Sequence, residues 1–278
     1  PRPDARELND YYSVDYRRAG YYGSDVADPA AFPKDNLFYF NRGQSIADLV
    51  APRVRAESPR ILDIGAGFGH ILYALGERFP KSRRTAIEFS GVAARHLQSI
   101  GVDVITEPVE NVLPRMEGQF DVVVISHVLE HLLDPGAVLK LIRSSLAPKG
   151  VLYVEVPNIP ADSQLRFPDH VWAPRFDEPH ITFFSTGSLH TLLESRGLTA
   201  LFCDTAGPFY RYISSLRFRM PTARWFIQHK MPPALFHFLR RQSFTKPVRM
   251  REREESFYQY GGCRIWIRSI SQAGAAAE

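Results

Sequence analysis

A chain of 278 residues, 45% hydrophobic and 23% charged, is long and apolar enough to bury a substantial core, so one globular domain with additions is the simplest organisation. It has a polar N-terminal stretch and no apolar run of about eighteen residues, which argues against a signal peptide and excludes a transmembrane helix, so a cytoplasmic protein is expected. The net charge is only +4 but uneven: Thr205 to Arg251 carries ten Lys or Arg and no Asp or Glu, leaving the rest of the chain net acidic.

Residues 1–55 come first and are rich in tyrosine, with Tyr11, Tyr12, Tyr16, Tyr21, Tyr22 and Tyr39. They are expected to form a helical cap with buried rings. From residue 60 onward, apolar strand-like runs alternate with helical patterns, which predicts an α/β fold with a mostly parallel sheet covered on both faces. The predicted strands lie near 60–64, 83–88, 102–107, 120–125, 149–156, 198–204 and 261–270. Pro135 opens a helix that should stop before Pro148-Lys149-Gly150. Ser185 should cap a helix through Arg196 that Gly197 ends. Cys203 and Cys263 lie in strand-like surroundings without a C-x-x-C spacing, so both are expected as free thiols in a reducing compartment.

The first strand delivers the chain into Asp63-Ile64-Gly65-Ala66-Gly67-Phe68-Gly69, with a second acid, Glu88, at the end of the next strand. Glycines there can take positive φ and bring backbone close to a ligand, while the following helix offers free N–H groups. A nucleotide-like ligand suits the turn. A dinucleotide fingerprint wants a small residue at position 70, where this chain has His70. The stretch instead resembles motif I of the class I S-adenosylmethionine-dependent methyltransferases, and that resemblance extends over about residues 60–200 and the last strand. It implies a Rossmann-like seven-stranded sheet with its seventh strand antiparallel beside the fifth. It also implies S-adenosylmethionine as cofactor, held by Asp63, Gly65, Ala66, Gly67, Gly69, Glu88, Phe89, Glu110 and Ser126, with Glu88 on the ribose hydroxyls. Tyr16 or Tyr22 could close over the sulfonium, since aromatic faces attract cations.

After the fourth strand comes Ser126-His127-Val128-Leu129-Glu130-His131, which contains H-x-x-E-H, a pattern also found in zinc hydrolases. It sits at a strand's carboxyl end and not within a long helix, so no metal is expected. In the setting of the resemblance His131 is structural and His127 points toward the methyl donor. Exocyclic-amine and pyrimidine C5 methylation use an Asn/Asp-Pro-Pro-aromatic turn or a cysteine here, and neither is present.

Asn158 then leads into a long connection holding Trp172, Asp177, Glu178 and His180. Long loops in compact domains are usually functional. Trp172 could stack on a ring or fill the loop's own core. Together with the helix that follows, the phrase from His180 to Ser185 resembles a subgroup of small-molecule and sugar methyltransferases in which a histidine borders the acceptor. Removing a proton from a hydroxyl needs a base, and a histidine is the usual one. His180 is the first choice and His127 the second, with Asp177 or Glu178 orienting one of them. Asn158 and Trp172 are expected at the acceptor.

Residues 205–256 mix eleven cations with aromatic residues and are expected as a helical insert before the last strand and tail at 257–278. Arg217 and Arg219 there would meet phosphates of the acceptor or an anionic membrane surface, the alternative being a solvated basic face. The leading expectation is O-methylation of a sugar in a nucleotide-linked, lipid-linked or polysaccharide glycan. The alternatives are a quinone, polyketide or other small natural product, an RNA, for which no binding appendage is recognised, and an inactive cofactor-binding subunit.

Overall fold

The computed structural model describes residues 32, 37–158, 180–206 and 266–274. Helix α1 (Leu37–Val50) runs into a short 3₁₀ turn at Ala51–Arg53. There follow β1 (Arg60–Ile64), α2 (His70–Arg78), β2 (Arg83–Ile87), α3 (Gly91–Ser99), β3 (Asp103–Ile105) and the short α4 (Val109–Val112). The second half contains β4 (Phe120–Ser126), a 3₁₀ turn at Leu129–His131, α5 (Pro135–Ser145), β5 (Leu146–Pro157), α6 (Thr186–Ser195), β6 (Leu198–Ala206) and β7 (Trp266–Ala273).

The strands form one sheet in the order β3-β2-β1-β4-β5-β7-β6, with β7 antiparallel to both of its neighbours and β1 to β5 mutually parallel. The central strands are apolar on both faces, as a doubly covered sheet requires. The two-residue period divides them cleanly. Ile61, Val122, Val124 and Tyr153 pack with Ile46, Leu72, Leu75 and Leu97 of α1, α2 and α3. Leu62, Val123, Ile125 and Val154 pack with Leu139, Ile142, Leu189 and Leu193 of α5 and α6. Truncating any one of the leucines or isoleucines to Ala costs about 2–5 kcal/mol, because the lost transfer energy is joined by a cavity.

Helix ends follow the sequence signals. Ser90 accepts from Ala93 N–H at the start of α3, and Asp134 accepts from Ala137 N–H ahead of Pro135 at the start of α5. Ser185 and Ser188 form a reciprocal capping box on α6, and Gly197 takes φ +71° just after it.

One boundary differs from expectation. α5 stops at Ser145, ahead of Pro148 as expected, but β5 begins at Leu146 and not at residue 149, so Pro148 also lies inside the strand, where the register against β4 slips between Phe120 and Val122 and Lys149 takes φ +65°. Three extra residues on β5 are accommodated between these pairs without ending the strand, as in an enlarged bulge. A Cβ on Gly150 would come within 2.8 Å of the Phe120 carbonyl oxygen, so glycine is needed there for close approach. The expected insert also starts too early at residue 205, since β6 runs through Ala206. The rest of the insert with Arg217 and Arg219, the connection with Trp172, Asp177 and Glu178, the tyrosines Tyr16 and Tyr22, and Cys263 lie outside the described residues. Among the described residues, no helix is long and apolar enough to cross a membrane.

Candidate active site

Strands β1, β2, β4 and β5 end at one edge of the sheet, and antiparallel β7 starts there, with Trp266 opposite Pro157. Ligands of open α/β sheets bind outside this carboxyl edge. Two constructions occupy it side by side.

The first is the turn after β1. Gly65, Gly67 and Gly69 take φ of +73°, +55° and +80°, and Gly69 ends the turn at the start of α2. Its backbone is tied to the end of β2: Gly65 N–H donates to the Ile87 carbonyl at 2.8 Å, and Gly67 N–H donates to Glu88 Oε2 at 2.8 Å. Glu88 Oε1 accepts from Ser90 N–H at 2.6 Å. The carboxylate thus anchors the turn, and its remaining lone pairs can still accept from hydroxyls. Ala66 and Gly67 are half-buried, Phe89 is 43% exposed beside Glu88, and Glu110 is exposed on α4 after β3. Asp63 is 1% exposed, inside β1, and its Oδ2 has no hydrogen-bond partner. Burial raises its carboxyl to about 8, with Arg42 opposing and Glu88 reinforcing the shift. At neutral pH it is mostly uncharged.

The second construction is the turn after β4, made of side chains from four separated segments. Gly43 lets α1 cross the start of α2, because a Cβ there would sit 2.5 Å from the His70 carbonyl oxygen. Arg42 thereby reaches the sheet edge, donating from Nε to Glu155 Oε1 at 2.8 Å, from Nη2 to the same oxygen at 2.5 Å, and from Nη2 to the Ser126 hydroxyl. Tyr153 donates its hydroxyl to Glu155 Oε2 at 2.6 Å. His127 N–H donates to the Glu155 carbonyl at 2.9 Å, and its ring bridges two carboxylates, Nε2 lying 3.2 Å from Glu155 Oε1 and Nδ1 3.3 Å from Glu130 Oε1. Trp266 closes the group, its ring edge-on to His127 at 5.6 Å and beneath Arg42 at 5.6 Å.

The charges are coupled. Burial opposes ionisation of Glu155, yet Arg42 and His127 drive its carboxyl far below the ordinary carboxylate range. Burial likewise opposes the imidazolium of His127, and Glu130 and Glu155 outweigh it and raise the group above its ordinary value. Burial would raise Glu130, but His127 and His131 lower it. His127 also takes φ +55°, a left-handed conformation that costs a non-glycine residue about 1–3 kcal/mol and persists where the surroundings enforce it. Both ring nitrogens face buried carboxylates, an arrangement that holds a cation in place.

His180 packs at the same turn, its ring 4.8 Å from that of His131 and 6.3 Å from that of Phe183. Asn158 is buried and bridges to Phe184. The structure therefore brings Ser126, His127, Asn158 and His180 to one edge with the glycine turn. Val128 joins the two constructions: a Cβ on Gly65 would lie 2.3 Å from Val128 Cγ2. Sequence reading missed Arg42, Tyr153, Glu155 and Trp266, and noted Glu130 only as part of the H-x-x-E-H phrase. Glu155 had a legible signal, a lone charge in an apolar central strand, which must be paired if buried.

The profile of a family described as "Methyltransferase domain" matches residues 38–201, more than half of the chain. The chain belongs to that methyltransferase family. Its fold is that of the class I S-adenosylmethionine-dependent methyltransferases. A ubiquinone biosynthesis O-methyltransferase of Xanthomonas campestris is 33% identical over 117 residues, which cover 40% of this chain and 48% of that protein. One from Caulobacter vibrioides is 36% identical over 118 residues, covering 39% of this chain and 44% of that protein. The chain thus spans about half the length of the curated relatives it matches. The plantazolicin methyltransferase, solved with S-adenosylhomocysteine, superposes with a TM-score of 0.58 at 15% identity, covering 97% of this chain and 95% of that one, a likeness of fold.

Proposed function

We propose that the protein is an S-adenosylmethionine-dependent O-methyltransferase whose acceptor is a small hydroxylated ring compound of the quinone type. The observation that carries this reading is the contact of Val128 with Gly65, which makes the glycine turn and the charged turn after β4 direct neighbours. Cofactor and acceptor can then share one edge. The relatives' names support a quinone-type acceptor over the sugar expected from sequence, and nothing among the described residues favours RNA.

In this reading Glu88 takes the ribose hydroxyls and the glycine turn lies under the methionine portion. The donor needs little activation, so the protein's task is to hold an acceptor oxygen in line with the methyl carbon. As the oxygen–carbon bond forms, the sulfur–carbon bond breaks with its electron pair left on sulfur. The acceptor's proton departs at the end of the site formed by Glu130, His131 and His180. His127, whose proton the carboxylates of Glu130 and Glu155 hold more tightly than usual, is a positioning residue rather than a base.

The test is S-adenosylhomocysteine production from S-adenosylmethionine with three acceptor classes. Turnover with hydroxylated quinones or phenols, and none with nucleotide sugars or RNA, is the expected result. Turnover confined to nucleotide sugars or RNA would overturn the acceptor assignment.

A further inference from the structure

His180 is brought to the turn after β4 by the main chain. Ile181 N–H and Thr182 N–H both donate to the Glu130 carbonyl, at 2.9 and 3.0 Å, which fixes the preceding residue over the Leu129–His131 turn. Glu130 Oε1 lies 3.9 Å from His131 Nε2, and one ligand atom from each of Glu130, His131 and His180 falls within 4.8 Å of the others. Glu130 is 1% exposed, its Oε1 faces His127 Nδ1 at 3.3 Å, and its Oε2 has no hydrogen-bond partner. His127 pairs with Oε1 and leaves Oε2 to a further partner. A buried carboxylate in this state is costly unless a directional partner arrives. A cation is such a partner. His180 is half-buried and the His131 side chain keeps 11% of its surface exposed, which leaves a narrow approach from solvent.

We propose that Glu130, His131 and His180 form a seat for one divalent transition-metal ion, with its remaining coordination positions open to the acceptor hydroxyl. Two imidazoles and one carboxylate suit zinc, cobalt, manganese or iron better than magnesium or calcium, which prefer all-oxygen sets. Metal–ligand bonds of about 2.0–2.2 Å place neighbouring donors roughly 3–3.5 Å apart, so loading draws the donors inward by side-chain rotation. This departs from the metal-free site expected from sequence. The H-x-x-E-H spacing pointed to His127 and His131 as the pair, whereas folding replaces His127 with His180.

The proposal rests on the methyltransferase reading and deepens it. A hydroxyl bound to the ion loses its proton to solvent, and the resulting oxyanion attacks the methyl carbon. The sulfonium leaves as a neutral thioether and the acceptor as a neutral methyl ether. His180 is then a ligand and not the base.

The experiment is a titration of the full chain with Co²⁺, read by its visible absorption and by hyperfine-shifted imidazole N–H signals in proton NMR. One Co²⁺ per chain with signals from two imidazoles is expected. Glu130→Gln and His180→Gln should each weaken binding about 100-fold while S-adenosylhomocysteine binding, measured by calorimetry, is retained. Absence of two imidazole signals in the wild type overturns the proposal without recourse to any variant. So does equal Co²⁺ affinity in wild type and both variants. Methyl transfer to a hydroxylated quinone that persists in chelator-treated, metal-free protein sinks the cation seat alone. Metal-loaded protein that methylates no hydroxylated ring sinks the functional reading and leaves the seat standing.

Discussion

The glycine turn after β1 and the charged turn after β4 lie side by side at one sheet edge, yet they are built by opposite means. The first is backbone: three residues at positive φ, a carboxylate anchoring the turn, and a buried acid kept mostly neutral. The second is side chain: Arg42, His127 and Glu155 hold one another in charged form away from water, with Tyr153 and Ser126 absorbing the remaining hydrogen-bonding capacity. A backbone site needs no distant partners and tolerates little change of shape. A charge network needs all its members and fails when one is removed.

That contrast is most exposed at Glu155. Glu155→Ala strips Arg42 of its carboxylate partner and His127 of one of its two, and urea denaturation should report a loss of about 3–5 kcal/mol. A loss under about 1 kcal/mol would mean that solvent, not the network, balances those charges. At the other turn, Gly65→Ala places a methyl 2.3 Å from Val128 Cγ2 at φ +73°. Strain and overpacking together should cost about 2–3 kcal/mol and weaken S-adenosylhomocysteine binding, with Val128→Ala in the same chain restoring part of both. No rescue would separate the two turns that the structure joins.

A subtler test concerns the neutral acid. The Asp63 carboxyl is raised from 3.8 to about 8 in the folded chain, so the native state holds a proton that the unfolded state gives up. Its favourable contribution is fully present below the unfolded value, declines as pH rises, and is gone above the folded value. Asp63→Asn should therefore gain on the wild type by up to about 1.4 kcal/mol per pH unit across that window. Parallel stability profiles would mean that Asp63 is ionised when folded.

Much of the fold was legible because its signals are local. Alternating apolar runs, Ser90, Asp134 and Ser185 at helix starts, and Gly197 at a helix end all act within a few residues, and the structure uses each of them. The glycine turn was legible for the same reason. The start of β5 was placed three residues late because the irregular stretch around Pro148-Lys149-Gly150 reads as a turn, and only pairing with β4 shows that Leu146 already belongs to the strand. At the second turn, sequence spacing gave His127 and His180 but not their surroundings. Arg42 comes from α1 and Trp266 from β7, and no local pattern reveals a side chain that arrives from so far along the chain.

The central claim is a division of labour between the two turns, and paired measurement of Glu88→Gln and His180→Gln tests it most directly. S-adenosylhomocysteine affinity by calorimetry and turnover with a hydroxylated quinone should separate. Glu88→Gln should lose about 1–3 kcal/mol of cofactor binding through its charge-assisted hydrogen bonds, with turnover at saturating cofactor nearly intact. His180→Gln should bind cofactor like the wild type and turn over about 10² to 10⁴ times more slowly. Both variants losing the same quantity, whether affinity or turnover, would contradict the account.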